Sequence, residues 1–204
     1  MIKLKDILLE STAPDIFVPR RIENRLERMI ALYVRNGSKG NLSLKHLNLT
    51  KLPEILKDIT VGGNFTCYNN FLTSLEGAPK VVDGSFDCGD NKLTSLDGAP
   101  EYIKGYFNCS HNKLTSLDGA PKTVDGKFTC YNNFLTSLEG APSSVGRDFY
   151  CSENRLTSLD GVPKTVGGDF LCFNNPVKFT EEQVRAVCDV KGKILVWLSL
   201  KIYC

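Results

Sequence analysis

The chain has 204 residues, 42% of them hydrophobic, enough for one domain with a core of its own. Its 25 Lys and Arg against 23 Asp and Glu give a net charge of +2, without the basic excess of a nucleic-acid-binding chain. No apolar run reaches the ~20 residues that a bilayer-crossing helix needs, and with only two histidines, His46 and His111, metal and acid–base chemistry is short of side chains.

Residues 1–40 carry eight basic and five acidic side chains. Lys3 and Lys5 precede Ile7, Leu8 and Leu9, but Asp6 and Glu10 interrupt the apolar stretch that a secretory signal requires. A cytoplasmic location is therefore expected. Residues 1–12 are a leader or a plain amphipathic first turn. Between Pro19 and Gly37, Ile22, Leu26, Met29, Ile30 and Tyr33 recur at helical spacing, with Arg20, Arg21, Glu23, Arg25, Glu27 and Arg28 on the other faces. Asn36-Gly37 is the stop signal. Residues 13–40 are read as a helical cap on the N-terminal end of the domain.

The next section is periodic. Cys67, Cys88, Cys109, Cys130, Cys151 and Cys172 stand 21 residues apart, each preceded at two places by Phe65, Phe86, Phe107, Phe128, Phe149 or Phe170. Three places after each cysteine come Asn70, Asn91, Asn112, Asn133, Asn154 and Asn175. The repeat reads V-x-G-x-F-x-C-x-x-N-x-L-T-S-L-x-G-A-P-x-x, with Arg147 once in place of glycine and Val162 once in place of alanine. A fixed period of this size marks a solenoid, in which each period is one coil stacked on the last. Phe-x-Cys has the two-residue period of a strand with both side chains on one face, so the coils should stack as a parallel sheet over a Phe–Cys–Leu interior. The asparagine row is read as a structural ladder whose amides serve turn backbone groups. Leu42-Ser43-Leu44 aligns with Phe65-Thr66-Cys67, which adds a degenerate first coil and gives seven coils over residues 41–177. Residues 61–175 carry nine basic and 13 acidic side chains, a net −4.

Past the repeats, Thr180-Glu181-Glu182-Gln183 is a capping box that opens a helix, with Val184, Val187 and Cys188 available to the last coil. Lys191-Gly192-Lys193 then leads into Ile194-Leu195-Val196-Trp197-Leu198. Residues 178–204 are read as a helix-and-strand cap whose apolar end pairs with the final coil or meets a partner.

The Phe, Cys, Asn and Leu columns, for example Phe107, Cys109, Asn112 and Leu114, resemble the leucine-rich-repeat pattern L-x-x-L-x-L-x-x-N-x-L. The resemblance covers about two-thirds of the chain. It implies a right-handed α/β solenoid of parallel short strands, capped by a helix at the N-terminal end and by a helix and strand at the C-terminal end. The Leu-Thr-Ser-Leu-(Glu/Asp)-Gly-Ala-Pro variant resembles repeats in proteins of large tailed bacteriophages. Residues 1–11 also resemble capsid-targeting leaders of such phages, in which a protease cuts after an apolar-x-Glu sequence. Leu8-Leu9-Glu10 would then place the processing site at Glu10.

Regular thiols invite a metal or redox reading. A straight row of co-oriented cysteines cannot surround a tetrahedral ion, and it does not suit disulfide geometry. Buried free thiols acting as small hydrophobes are expected instead. Cys109, His111 and Asn112 mimic a thiol-protease trio, but all three occupy generic repeat positions. No phosphate loop and no isolated pair of carboxylates occurs, so neither catalysis nor a cofactor nor a metal is expected. The freely varying positions beside the constant columns are the informative ones. Tyr68, Asp87, Tyr106, Asn108, His111, Tyr131, Tyr150 and Phe173 place aromatics among amide and acidic groups, the makeup of a protein-recognition surface. The expected function is a non-catalytic protein-binding module, monomeric or weakly oligomeric, with no nucleic-acid or membrane partner. The phage resemblance implies a host protein, such as a defence component, as the partner. A virion-packaged structural protein and a bacterial effector-like repeat protein are the alternatives. Residues 65–79 and 128–142 are identical, as in an array that grows by duplication.

Overall fold

The structure is a computed structural model that describes residues 25–197. The Glu10 site, the leader, the start of the N-terminal cap and residues 198–204 lie outside the described residues.

Each coil contributes two very short strands. One set is β1 (Leu42–Ser43), β3 (Phe65–Thr66), β5 (Phe86–Asp87), β7 (Phe107–Asn108), β9 (Phe128–Thr129), β11 (Phe149–Tyr150), β13 (Phe170–Leu171) and β15 (Ile194–Leu195). These eight form one sheet in that order, parallel throughout, with Phe opposite Phe in successive coils. β1 pairs with β3, placing Leu42 opposite Phe65. The phenylalanine rings are fully buried, with centroids 5.2–5.5 Å apart from coil to coil.

The second set was not anticipated. It comprises β2 (Thr60–Val61), β4 (Val81–Val82), β6 (Tyr102–Ile103), β8 (Thr123–Val124), β10 (Ser144–Val145), β12 (Thr165–Val166) and β14 (Asp189–Val190). β2 pairs with β4, and β6 to β14 form a five-stranded sheet. The interior therefore holds four kinds of row: Val or Ile from these strands, Phe and Cys from the larger sheet, and Leu from the returning arm. Coils pack closely enough that a Cβ on Gly126 would lie 2.4 Å from the Gly105 carbonyl oxygen. That approach accounts for the glycine two residues before phenylalanine.

The buried asparagines tie neighbouring coils together. The Asn112 amide nitrogen donates to the carbonyls of Cys88, Cys109 and Ser110 at 3.0–3.1 Å, while its oxygen accepts from the Leu93 N–H at 2.9 Å. One side chain thus serves three turn carbonyls and one N–H, of which the Cys88 and Cys109 carbonyls and the Leu93 N–H rely on the asparagine row while Ser110 O also accepts from the Asp90 N–H. In the first coil Leu47 occupies this column, and Asn70 compensates by accepting from both Leu47 and Leu49.

The two ends are closed differently. At the N-terminal end α1 (Arg25–Arg35) buries Ile30 and Tyr33. The Tyr33 hydroxyl donates to the Ser38 carbonyl at 2.6 Å and accepts from the Gly62 N–H at 3.2 Å, which fixes the passage from helix to solenoid. At the C-terminal end α2 (Glu181–Val187) starts at the expected capping box, Gln183 N–H to Thr180 Oγ1 at 3.1 Å and Thr180 N–H to Gln183 Oε1 at 2.8 Å. Val184 and Cys188 are buried as expected, whereas Val187 points outward. β14 and β15 extend both sheets in register, Val190 beside Val166 and Ile194 beside Phe170. The cap is thus an eighth coil of 24 residues, in which α2 replaces the Leu-Thr-Ser-Leu arm.

Candidate protein-binding face

Along β3 to β13 the middle residue of Phe-x-Cys points away from the interior, and the residues that flank the strand continue the same face. All eight sequence-predicted residues lie on this outer face of the eight-stranded sheet. They do not make one apolar patch. Instead they fall into separate, internally bonded clusters.

The central cluster is polar. Asp87 Oδ1 accepts from the Asn108 amide at 2.9 Å and from the Gly89 N–H at 3.1 Å. Asn108 Oδ1 in turn accepts from the Ser110 N–H at 3.0 Å and from Thr129 Oγ1 at 2.8 Å. The Tyr106 hydroxyl reaches Asp87 Oδ2 at 3.5 Å. Burial raises the Asp87 pKa above the usual carboxylate value despite these donors, and burial beside Asp87 raises that of Tyr106. Gly89 leaves room for this arrangement, since a Cβ there would sit 2.8 Å from the Asn108 amide nitrogen and push that side chain aside.

Two histidine–tyrosine pairs share one geometry. His111 Nε2 lies 3.0 Å from the Tyr131 hydroxyl, and His46 Nε2 lies 3.1 Å from that of Tyr68, each with rings edge-to-face. Asn132 also meets His111 Nδ1 at 2.8 Å. Tyr131 is flanked by the buried serines Ser110 and Ser152, whose hydroxyls have no hydrogen-bond partner. Burial raises the Tyr131 pKa, and Asp90 and Glu153 push it in the same direction.

Tyr150 is held by charge. Lys127 Nζ lies 4.3 Å from its ring centroid, donates to its hydroxyl at 3.2 Å and pairs with Asp148 at 3.3 Å. Desolvation works against the Lys127 cation, but the bonds to Tyr150 and Asp148 outweigh it and its pKa is raised. For Asp148 desolvation likewise opposes the charge, and the Asp169 N–H and Lys127 bring the net pKa below the ordinary carboxylate value. Phe173 stands beside Leu171, and the eighth coil adds Leu195 and Trp197 to the same face.

Three features were missed from sequence. The residue two places after each cysteine, whether Asn69, Asp90, His111, Asn132, Glu153 or Asn174, is left-handed, with φ of 51–56°. Asn and Asp tolerate that region, so the column's composition carried the signal. Where the residue before phenylalanine is Asn, Ser or Asp it forms a second ladder, interrupted at Tyr106 and Lys127: Asn64 Oδ1 accepts from the Ser85 N–H, Ser85 Oγ from the Tyr106 N–H, Asp148 Oδ1 from the Asp169 N–H and Asp169 Oδ1 from the Lys193 N–H. Finally, Phe71 and Phe134 are exposed at the border of the face, with Lys92 and Arg155 over their rings at 4.6 and 4.3 Å.

The thiols offer no chemistry to this face. The six ladder cysteines are buried and unpaired, and burial raises their pKa values wherever a shift is resolved, Cys67 to Cys151. Cys188 is pushed up to about 11 by the same cause. Among the described residues no three His, Cys, Asp or Glu side chains are grouped to hold a metal ion, and no helix is long and apolar enough to cross a membrane.

No family model and no curated protein matches the chain. Among solved structures, one described as the LRR domain of a Shigella effector is similar, with a TM-score of 0.51 over 82% of this chain and 87% of that one at 19% identity. That likeness shows the fold, a leucine-rich-repeat solenoid of parallel strands.

Proposed function

We propose that this solenoid is a non-catalytic protein-binding module whose partner seats on the outer face of the eight-stranded sheet. The observation that carries the reading is that this face is variable in identity yet fixed in position. Tyr106, Asn108, His111, Tyr131 and Tyr150 are each held by a side-chain hydrogen bond to a neighbouring coil. Pre-positioned aromatics lose little freedom on binding, which favours them as anchors. Asp87, Asp90, Asp148, Glu153 and Asp169 on this face outnumber Lys45, Lys127 and Lys193, which favours a partner segment with basic side chains.

The phage-type repeats support a phage-borne module acting in the bacterial cytoplasm on a host protein, such as a defence component. The similar effector domain favours a second reading, a bacterial effector-like repeat protein directed at a eukaryotic host. The experiment is affinity capture from bacterial and from mammalian lysates by the wild-type chain and by the Tyr68→Ala, Tyr131→Ala, Tyr150→Ala, Phe173→Ala variant. One specific partner should be recovered by the wild type, and the variant should bind it at least ~100-fold more weakly with its fold unchanged. Equal capture by a folded variant contradicts the surface assignment. The lysate that supplies the partner decides between the two readings.

A further inference from the structure

A second row of varying residues lies at the border of the sheet face. Between the buried asparagine and the leucine of each coil stand Phe71, Lys92, Lys113, Phe134 and Arg155. Each of their backbone N–H groups donates to a leucine carbonyl of the preceding coil at 2.8–2.9 Å, from Phe71 to Leu49 up to Arg155 to Leu135, so the five stand in register. All five are exposed, Phe71 at 44% and Phe134 at 38%. The row carries three cations and no carboxylate, and none of the three joins an ion pair among the described residues. Lys92 and Arg155 lie over the rings of Phe71 and Phe134, which holds their charged heads without neutralising them. The border is thus basic on a solenoid whose residues 61–175 hold nine basic and 13 acidic side chains.

We propose that this row docks an acidic amphipathic helix of the protein partner, lying along the solenoid axis. Spacing selects the helix. Successive coils are 5.2–5.5 Å apart, as the phenylalanine centroids measure, and a helix advances ~5.4 Å per turn. One helical turn therefore meets one coil, and positions i, i+4, i+7, i+11 and i+14 reach the five row residues in turn. An extended strand repeats a face every ~6.8 Å and falls out of register by about one coil over the same distance. Charge selects the side chains: carboxylates opposite Lys92, Lys113 and Arg155, and apolar residues opposite Phe71 and Phe134. A nucleic-acid strand also answers cations and rings, but its unbroken charge would face Asp90 and Glu153, two residues before Lys92 and Arg155. A helix places its carboxylates only where the cations are. The docking adds a second surface to the binding reading above, and rests on that reading only for the partner's being a protein.

The probe is a labelled synthetic helix of Ala and Gln carrying Leu, Glu, Glu, Leu and Glu at those five positions, made in both chain directions and read by fluorescence anisotropy at low salt. One direction should bind the wild type at least ~10-fold more tightly than a helix of equal composition with the same residues scrambled off the face. The triple variant Lys92→Glu, Lys113→Glu, Arg155→Glu should lose that binding with unchanged circular dichroism, and should bind a helix with Lys in place of Glu. Absence of wild-type binding, equal binding of the scrambled helix, or retention by the charge-reversed protein would overturn the proposal. So would tighter binding of a single-stranded oligothymidylate. The Tyr68→Ala, Tyr131→Ala, Tyr150→Ala, Phe173→Ala variant should keep the helix in full, so failure here and failure of the sheet-face assignment are read apart.

Discussion

Inward and outward positions alternate along the same two-residue strands, yet they obey different rules. Phe107 and Cys109 belong to rows that scarcely change, while Asn108 between them belongs to a row that holds Thr66, Asp87, Thr129, Tyr150 and Leu171. Inside, each side chain must fit identical neighbours above and below, and each amide must answer a fixed set of backbone groups. Outside, the backbone asks only for a compatible φ or an occasional acceptor. A solenoid can therefore hold its fold constant while its surface is rewritten, which is the property a recognition module needs.

The largest expected effect tests the interior rows. Phe128→Ala removes a fully buried ring stacked between Phe107 and Phe149 and should cost about 3–5 kcal/mol in urea unfolding. Tyr131→Ala, three residues away on the outer face, should cost well under half as much. Comparable losses would erase the distinction between the two faces.

The amide ladder should be next. Asn112→Leu leaves the Leu93 N–H without its partner and takes one of two donors from each of the Cys88, Cys109 and Ser110 carbonyls, which keep Asn91, Asn133 and the Asp90 N–H, at a cost on the order of 3 kcal/mol. Asn175→Leu deletes the equivalent bonds at a half-buried site that water can reach, so about 1 kcal/mol is expected there. Calorimetry of the two variants should preserve that order.

The smallest effects sharpen the comparison within the outer face, where two aspartates should respond to pH with opposite sign. Asp148 has a native pKa below its unfolded value, so it adds stability above the unfolded pKa of about 3.9 and loses it as pH falls through the native value. Asp87 has a raised native pKa, so its charge penalises the folded state at neutral pH and the penalty disappears on acidification. Asp148→Asn should lower the melting temperature at pH 7 and Asp87→Asn should raise it, and both differences should fade below pH ~4. Shifts of the same sign would place the two carboxylates in equivalent environments.

How much was legible divides along the same line. The Phe, Cys, Asn and Leu rows declared the coils, the parallel sheet and the buried ladders because a strict period reports a strict packing requirement. The second sheet was equally written, in Thr60-Val61, Val81-Val82, Thr123-Val124 and Thr165-Val166, but a two-residue strand is too short to stand out as an alternating pattern. The eighth coil was hidden by its length. Val190-Lys191-Gly192-Lys193-Ile194-Leu195-Val196 matches V-x-G-x-F-x-C, yet α2 lengthens the interval from Phe170 to Ile194 to 24 residues. On the outer face, sequence named the eight positions as exposed, varying ones. It did not show that Asp87 and Asn108 are bonded to each other, or that Tyr150 is gripped by Lys127, since such pairs depend on which coils are adjacent and on rotamers no period encodes.

Thiol accessibility tests the central claim most directly. The native chain should be treated with a cysteine-alkylating reagent and mapped by peptide mass spectrometry, with and without denaturant. Cys67, Cys88, Cys109, Cys130, Cys151 and Cys172 should stay unmodified in the native state and become reactive together on global unfolding, because each is buried, unpaired and part of one continuous spine. Ready modification of these cysteines in the folded protein, or their recovery as disulfide-linked peptides, would contradict it.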